Sequence, residues 1–264
     1  MRLFVVEVRR LLARRFFRAA VLLLLVGVAS MLGLAVKGSH SGSQLVFTQT
    51  VVAITSVTTV LTVLAAFLVG ATAVGAEWHH GTLAALLVWE PRRVRVFTGK
   101  LLALVVTTLA VSVLVYAGAI GGTWALARAI GKVGDVTTGE LQSFGLGVAR
   151  GLALTAVAAS LGFAIALTAR RTAAALGVLM AYLAVGELGL RLFSDEAQGW
   201  LLGSQVVAWL GNGYTYVVGR CTLTASCRTG PHVISMADSA VYLGVLVVVV
   251  LAAAAAIFRR REVA

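Results

Sequence analysis

The sequence predicts an all-α integral membrane protein. It has six membrane-spanning helices, both chain ends cytoplasmic, an amphipathic interfacial helix at the N-terminus, and a short re-entrant or interfacial helix between spans five and six. Three observations predict this. The 264 residues are 60% hydrophobic and 12% charged, with a mean hydropathy of +0.98. That is too little charge to cover a water-soluble domain of this size. Apolar stretches long enough to cross a hydrocarbon core, which needs about 20 residues of helix, recur along the chain. Basic residues collect in alternate segments between those stretches. The length suits one membrane domain, 1–264, and leaves no room for a sizeable soluble one.

Residues 1–18 come first. Val5, Val8, Leu12 and Phe16 recur at helical spacing, and Glu7, Arg10, Arg14 and Arg18 do so on another face. Such a helix lies in the interface with its arginines toward lipid phosphates. The alternative is an ordinary basic flank that only fixes topology. The spans follow at about Phe17–Val36, Val51–Ala76, Leu101–Leu126, Leu146–Ala169, Thr172–Leu192 and Ser239–Phe258. The first has too long an apolar run for a cleaved signal peptide, and no A-x-A site follows it. Gly199–Gly211 is apolar but only 13 residues long, too short to span.

With the N-terminus inside, 15 of the 22 basic residues fall on the inner side, and the net charge is +11 inside against +1 outside. A seventh span would put Arg259, Arg260 and Arg261 outside, so parity also holds Gly199–Gly211 out of the count. The total charge of +12 could suggest nucleic acid. Its placement beside apolar runs instead fits topology and anionic lipid, and excludes a nucleic-acid partner.

The candidate polar groups are few. Span two carries Thr55, Thr58, Thr59 and Thr62 on one helical face. They serve either hydroxyl-assisted helix packing or a translocation path. Glu187 is the acidic residue well within a span, a functional candidate by default, and Arg191 follows four residues later as an ion-pair partner. Gly118/Gly122 and Gly147/Gly151 suit close helix contacts. Cys221 and Cys227 share the last outer loop, where an oxidising exterior favours a disulfide over two free thiols. His79 and His80 point to different helix faces and no thiol or carboxylate cluster joins them, so no metal is expected. No nucleophile or paired carboxylate suggests an enzyme.

The most specific stretch is Gly75–Lys100, GAEWHHGTLAALLVWEPRRVRVFTGK. Glu77 closes span two, a short apolar helix runs to Trp89, Pro91 stops it, and Arg92, Arg93, Arg95 and Lys100 lead into span three. Here the chain resembles permease subunits of the type-2 ABC exporter superfamily. They share a stretch of the form E-x-x-x-G-T-L-x-x-L-L-x-x-P-x-x-R-x-x-x-x-x-x-K. Glu77, Gly81, Thr82, Leu83, Leu86, Leu87, Pro91 and Lys100 occupy that pattern. The Leu-to-Pro spacing is one residue longer, and Arg93 or Arg95 stands in for the usual basic residue. An N-terminal amphipathic helix, six spans and a long last outer loop extend the likeness across the chain.

The resemblance implies one transmembrane permease domain over 1–264, with 77–91 as the coupling helix, 193–238 as the outer loop and residues 1–18 as a support. Glu77, Gly81, Thr82, Leu83, Leu86, Pro91, Arg92 and Arg93 would couple to a separate ATPase, present in two copies and carrying the ATP and Mg. A second permease subunit, identical or related, would complete the pore. The chain would need no cofactor of its own, and it lacks a G-x-x-x-x-G-K-[ST] phosphate loop. The stripe at Thr55, Thr58, Thr59 and Thr62 gains weight as a path, with Glu187, because spans two and five line the cavity in such exporters. Composition rich in Arg, Ala, Val and Gly suggests a bacterial plasma membrane. The competing reading is an ATP-independent transporter or channel, for which Glu187 would supply ion coupling.

Overall fold

The computed structural model describes residues 2–40, 46–79, 82, 92–134, 136–193, 196–221 and 227–260. Among them, six helices are long and apolar enough to cross a membrane: Arg15–Ser39, Phe47–Trp78, Arg93–Ile130, Thr138–Ala169, Thr172–Gly189 and Met236–Arg260. Each contains or closely overlaps one stretch expected from hydropathy. The architecture is that of a multi-pass membrane protein.

Helix α1 (Arg2–Ala13) is separated from α2 (Arg15–His40) by a break at Arg14. Then come α3 (Phe47–His79), α4 (Arg93–Ile130) and α5 (Thr138–Ala169). A capping box opens α5: Thr137 Oγ1 accepts from the Glu140 amide while the Glu140 carboxylate accepts from the Thr137 amide. Arg170, at φ 57°, ends α5 in the left-handed conformation, and α6 (Thr172–Ala181) starts two residues later. A π-helical stretch, Tyr182–Gly189, and the single turn α7 (Leu190–Phe193) complete the fifth apolar segment.

Between the fifth and sixth apolar helices lies a short helix, α8 (Leu202–Gly211), preceded by a 3-10 turn at Glu196–Trp200. Ten residues extend about 15 Å, half a bilayer core. The all-α expectation needs one correction. The same loop carries a hairpin, β1 (Tyr214–Cys221) antiparallel to β2 (Cys227–Ile234). Asn212, at φ 63°, closes α8, with the Gly213 amide reaching back to the Ala208 carbonyl at 2.8 Å. Gly213 (φ 131°) then turns the chain into a run of aromatic and β-branched residues, Tyr214-Thr215-Tyr216-Val217-Val218. The last span is α9 (Met236–Arg260).

The hairpin register sets Cys221 opposite Cys227 on the backbone. Their side chains lie outside the described set, so the disulfide stands as a prediction. Alkylation of the denatured, unreduced protein should leave both cysteines unmodified. Labelling of both would rule the bridge out.

The core holds the site in place. Phe97 of α4 meets Phe163 of α5 edge-on at 5.4 Å and Phe258 of α9 at 6.5 Å. Leu11 of α1 and Phe17 of α2 are buried in the same cluster. The α3–α5 pair packs closest. A Cβ on Gly70 would fall 2.3 Å from the Ala159 carbonyl oxygen, and one on Gly162 would fall 2.2 Å from that of Phe67. The backbones therefore touch without side chains between them, a close approach that membrane helices use where lipid gives no hydrophobic drive to associate. Of the four glycines singled out by spacing, Gly122 and Gly151 face close neighbours, Leu32 and Tyr116, while Gly118 and Gly147 face open space. The fifth apolar helix is the least buried: 6% of its window, beside 11% for α2, 17% for the last span and 56% for α5.

Candidate functional site

The described polar groups converge where α1, the end of α3 and the start of α4 meet. Glu77 lies in the last turn of α3 and its side chain is 3% exposed. A carboxylate taken out of water costs several kcal/mol unless cations and donors surround it. Here they come from three elements. Arg14, at the break between α1 and α2, donates to Glu77 Oε1 at 2.6 Å. Its other terminal nitrogen donates to the Thr72 and Ala73 carbonyls at 3.0 and 2.8 Å. Arg10, one turn earlier, stands 3.2 Å from the same oxygen and also donates to Thr82 Oγ1. Lys100, buried in α4, places Nζ 2.9 Å from Glu77 Oε2, an ion contact rather than a directed hydrogen bond. It donates at 2.7 Å to Glu7 of α1, itself buried.

Three cations therefore serve two carboxylates across three elements. This revises the reading of α1. Glu7, Arg10 and Arg14 share the polar face that periodicity assigned to lipid phosphates, yet all three turn into the protein. The physical reason is Glu77, a buried anion elsewhere in the chain that a local pattern cannot register. Phe4, Val8 and Leu11 pack against the core beside them. Val5, Leu12 and Phe16, from the expected apolar face, stay exposed and suit immersion in lipid.

Two more contacts join this end of the bundle. Arg93 donates to the Phe258 and Arg259 carbonyls at 3.2 and 3.4 Å, tying the start of α4 to the end of α9. The Arg170 guanidinium covers the Trp78 ring at 4.6 Å. Arg92 is exposed and precedes α4 as its N-cap residue. Of the motif residues, Gly81, Leu83, Leu86, Leu87 and Pro91 lie outside the described residues. Thr82 is described, exposed and bonded to Arg10.

The threonine stripe packs within the bundle. Thr58, Thr59 and Thr62 are buried and Thr55 is half-buried. Each donates to the carbonyl four residues back. Thr59 also shares a 2.7 Å hydrogen bond with Tyr116 of α4. Among the described hydrogen bonds of these four, the one between Thr59 and Tyr116 reaches another helix and the others stay within α3.

Glu187 sits at the opposite end of the bundle, half-buried, 3.2 Å from Arg191. Its main partners are different. It accepts from the Gly203 amide in the first turn of α8 and from the Tyr182 hydroxyl, which itself accepts from the Leu202 amide. At the other end of α8, Arg150 donates to the Leu210 carbonyl and to Asn212, and Trp209 donates to the Arg150 carbonyl. An acid at the helix N-terminus and a base at its C-terminus both complement the helix dipole. Removing the acceptor should free α8. In Glu187→Ala, hydrogen exchange at the Leu202 and Gly203 amides is expected to rise about tenfold or more, from a lost bond of about 1–3 kcal/mol. Unchanged exchange would remove Glu187 from this capping role.

No family model matches the chain, and a search among characterised proteins finds no match. The class defined by the fold is therefore the firm result: a helical multi-pass membrane protein with a buried ion cluster that joins its N-terminal helix to two long spans.

Proposed function

We propose that this chain is the permease subunit of an ATP-driven exporter of the type-2 ABC class. It lies in a bacterial plasma membrane with both termini cytoplasmic. A second permease subunit completes the translocation path, and two copies of a separate ATPase bind ATP and Mg beneath it. The carrying observation is the pairing of Glu77 with Lys100. They are the two ends of the stretch resembling the family's coupling segment, and one ion cluster joins them to each other and to α1. Force applied by a soluble partner to the intervening segment would act on three elements at once. The inner excess of basic residues supports the orientation. The nearly unburied fifth apolar helix offers the surface that a second permease subunit would cover.

An ATP-independent carrier would need Glu187 for ion coupling. That carboxylate is already engaged by Arg191, Tyr182 and the α8 amide, which speaks against it. The test is co-expression with the ATPase encoded beside this chain. The expected result is co-purification and vanadate-sensitive hydrolysis coupled to export. Glu77→Ala and Gly81→Trp should keep hydrolysis and membrane insertion while cutting export about tenfold or more, because the first loosens the ion cluster behind the coupling segment and the second obstructs the segment itself. Normal export in both variants would sink the coupling assignment, and the absence of any ATPase partner would sink the class.

A further inference from the structure

The break at Arg14 opens a cleft of about 450 Å³ between the α1–α2 junction and the end of α3. That volume lies within the range of about 300–1,000 Å³ typical of small-molecule sites. Its walls are apolar, with Leu11, Phe16 and Phe17 on one side and Val69, Ala73 and Ala76 on the other. Arg10, Arg14 and Arg15 stand around it with Glu77. The three arginines are not equivalent. Arg14 is held by Glu77 and two backbone carbonyls. Arg10 makes an ion contact with Glu77 and donates one N–H to Thr82, which leaves four of the five donors a guanidinium carries. Arg15 is exposed, and among the described residues it has no hydrogen-bond or ion-pair partner. The lone carboxylate of the cleft is already neutralised by Lys100 as well as by Arg14. Unspent positive charge therefore borders an apolar slot beside the exposed Leu12 of α1 and Phe16 of α2.

We propose that this cleft is a site for one anionic phospholipid, with its phosphate on Arg15 and Arg10 and an acyl chain along Phe16, Phe17 and Ala76. Charge complementarity selects the occupant. A zwitterionic lipid would bring a trimethylammonium group to a rim with surplus cations, and a free phosphate would leave the apolar walls uncovered. A planar guanidinium suits a phosphate because two of its N–H groups can meet two oxygens at once. The bound lipid would brace α1 against α3 from the open side, where Glu7 and Lys100 brace it from within. The proposal rests on the membrane architecture alone and stands whether or not the chain couples to an ATPase.

The experiment uses the full chain in nanodiscs of equal parts dioleoylphosphatidylcholine and dioleoylphosphatidylglycerol. Native mass spectrometry then counts the lipid retained on ejection from the disc. The expected result is one phosphatidylglycerol retained in preference to phosphatidylcholine. Retention should weaken about tenfold in Arg15→Gln, the size of one charge-assisted contact, and recover in part in Arg15→Lys. Ala76→Phe, which fills the slot, should abolish it. Arg9→Gln and Arg18→Gln alter exposed arginines that do not line the cleft and should retain lipid as the unaltered chain does. Unfolding in phosphatidylcholine-only discs checks that each variant is folded. If Ala76→Phe fails that check, the Arg15 pair still decides. Equal losses in Arg9→Gln and Arg15→Gln would reduce the effect to a diffuse surface charge and overturn the site. So would equal retention of the two lipids, or displacement of phosphatidylglycerol by millimolar inorganic phosphate.

Discussion

Lys100→Met should cost about 3–5 kcal/mol of stability, the range for removing one partner of a buried ion pair. Lys100 is 6% exposed and touches both Glu7 and Glu77. Methionine keeps most of the side-chain volume, so lost packing contributes little. The loss comes chiefly from Glu7, whose cation is gone, while Glu77 keeps Arg14 and Arg10. Thermal unfolding in a single detergent measures it. The double variant Lys100→Met/Glu7→Gln should lose clearly less than the sum of the single losses, because the charge stranded by the loss of the lysine has gone with it. A Lys100→Met protein that unfolds at the unaltered chain's temperature would show that the cluster contributes nothing to stability.

Gly162→Val should be at least as damaging, at about 3 kcal/mol or more, the upper end for overpacking. Most overpacked sites relax by moving a side chain. Here the new Cβ would fall 2.2 Å from a backbone oxygen and 3.1 Å from the Ala71 amide nitrogen, so α3 and α5 must move apart as whole helices. That separation would also relieve Gly70, which meets the Ala159 carbonyl and the Phe163 amide on the same interface. Gly70→Val/Gly162→Val should therefore be little worse than either single change. Unfolding temperature and the yield of monodisperse protein measure both. Additive losses would mean that the two contacts relax separately.

These two sites mark where sequence reading reaches and where it stops. Hydropathy located all six apolar helices because crossing a bilayer imposes a length and a composition on the local chain. Glu77 and Lys100 were legible as motif positions. Their pairing was not, because it depends on how helices far apart in sequence come together. Periodicity groups Glu7, Arg10 and Arg14 on one face, which suits arginines at the lipid surface or an ordinary basic flank, and nothing local in the pattern reveals a buried partner. The signal that could have corrected this was the count of carboxylates near apolar runs. Glu77 and Glu7 both need cations, and Arg14 and Lys100 each stand just before the start of an expected span.

The α3–α5 contact left a trace that was overlooked. Ala158, Gly162 and Ala166 repeat every four residues. Spacing drew attention instead to Gly118 and Gly147, which face open space. The hairpin was missed because hydropathy cannot separate the β-branched run near Val217 from a piece of buried helix. Length, aromatics and the Asn212-Gly213 turn would have separated them.

The pairing of Glu7 with Lys100 also sets an order of events as the chain is made. The two residues are 93 positions apart, so Glu7 leaves the ribosome long before its partner exists. Until α4 is synthesised, α1 has only Glu77 to hold by charge, and before that nothing but the lipid surface. Its exposed Val5 and Leu12 then have a second use, keeping the first helix on the membrane while it waits. The N-terminal helix is therefore complete well before the lysine that locks it has been made.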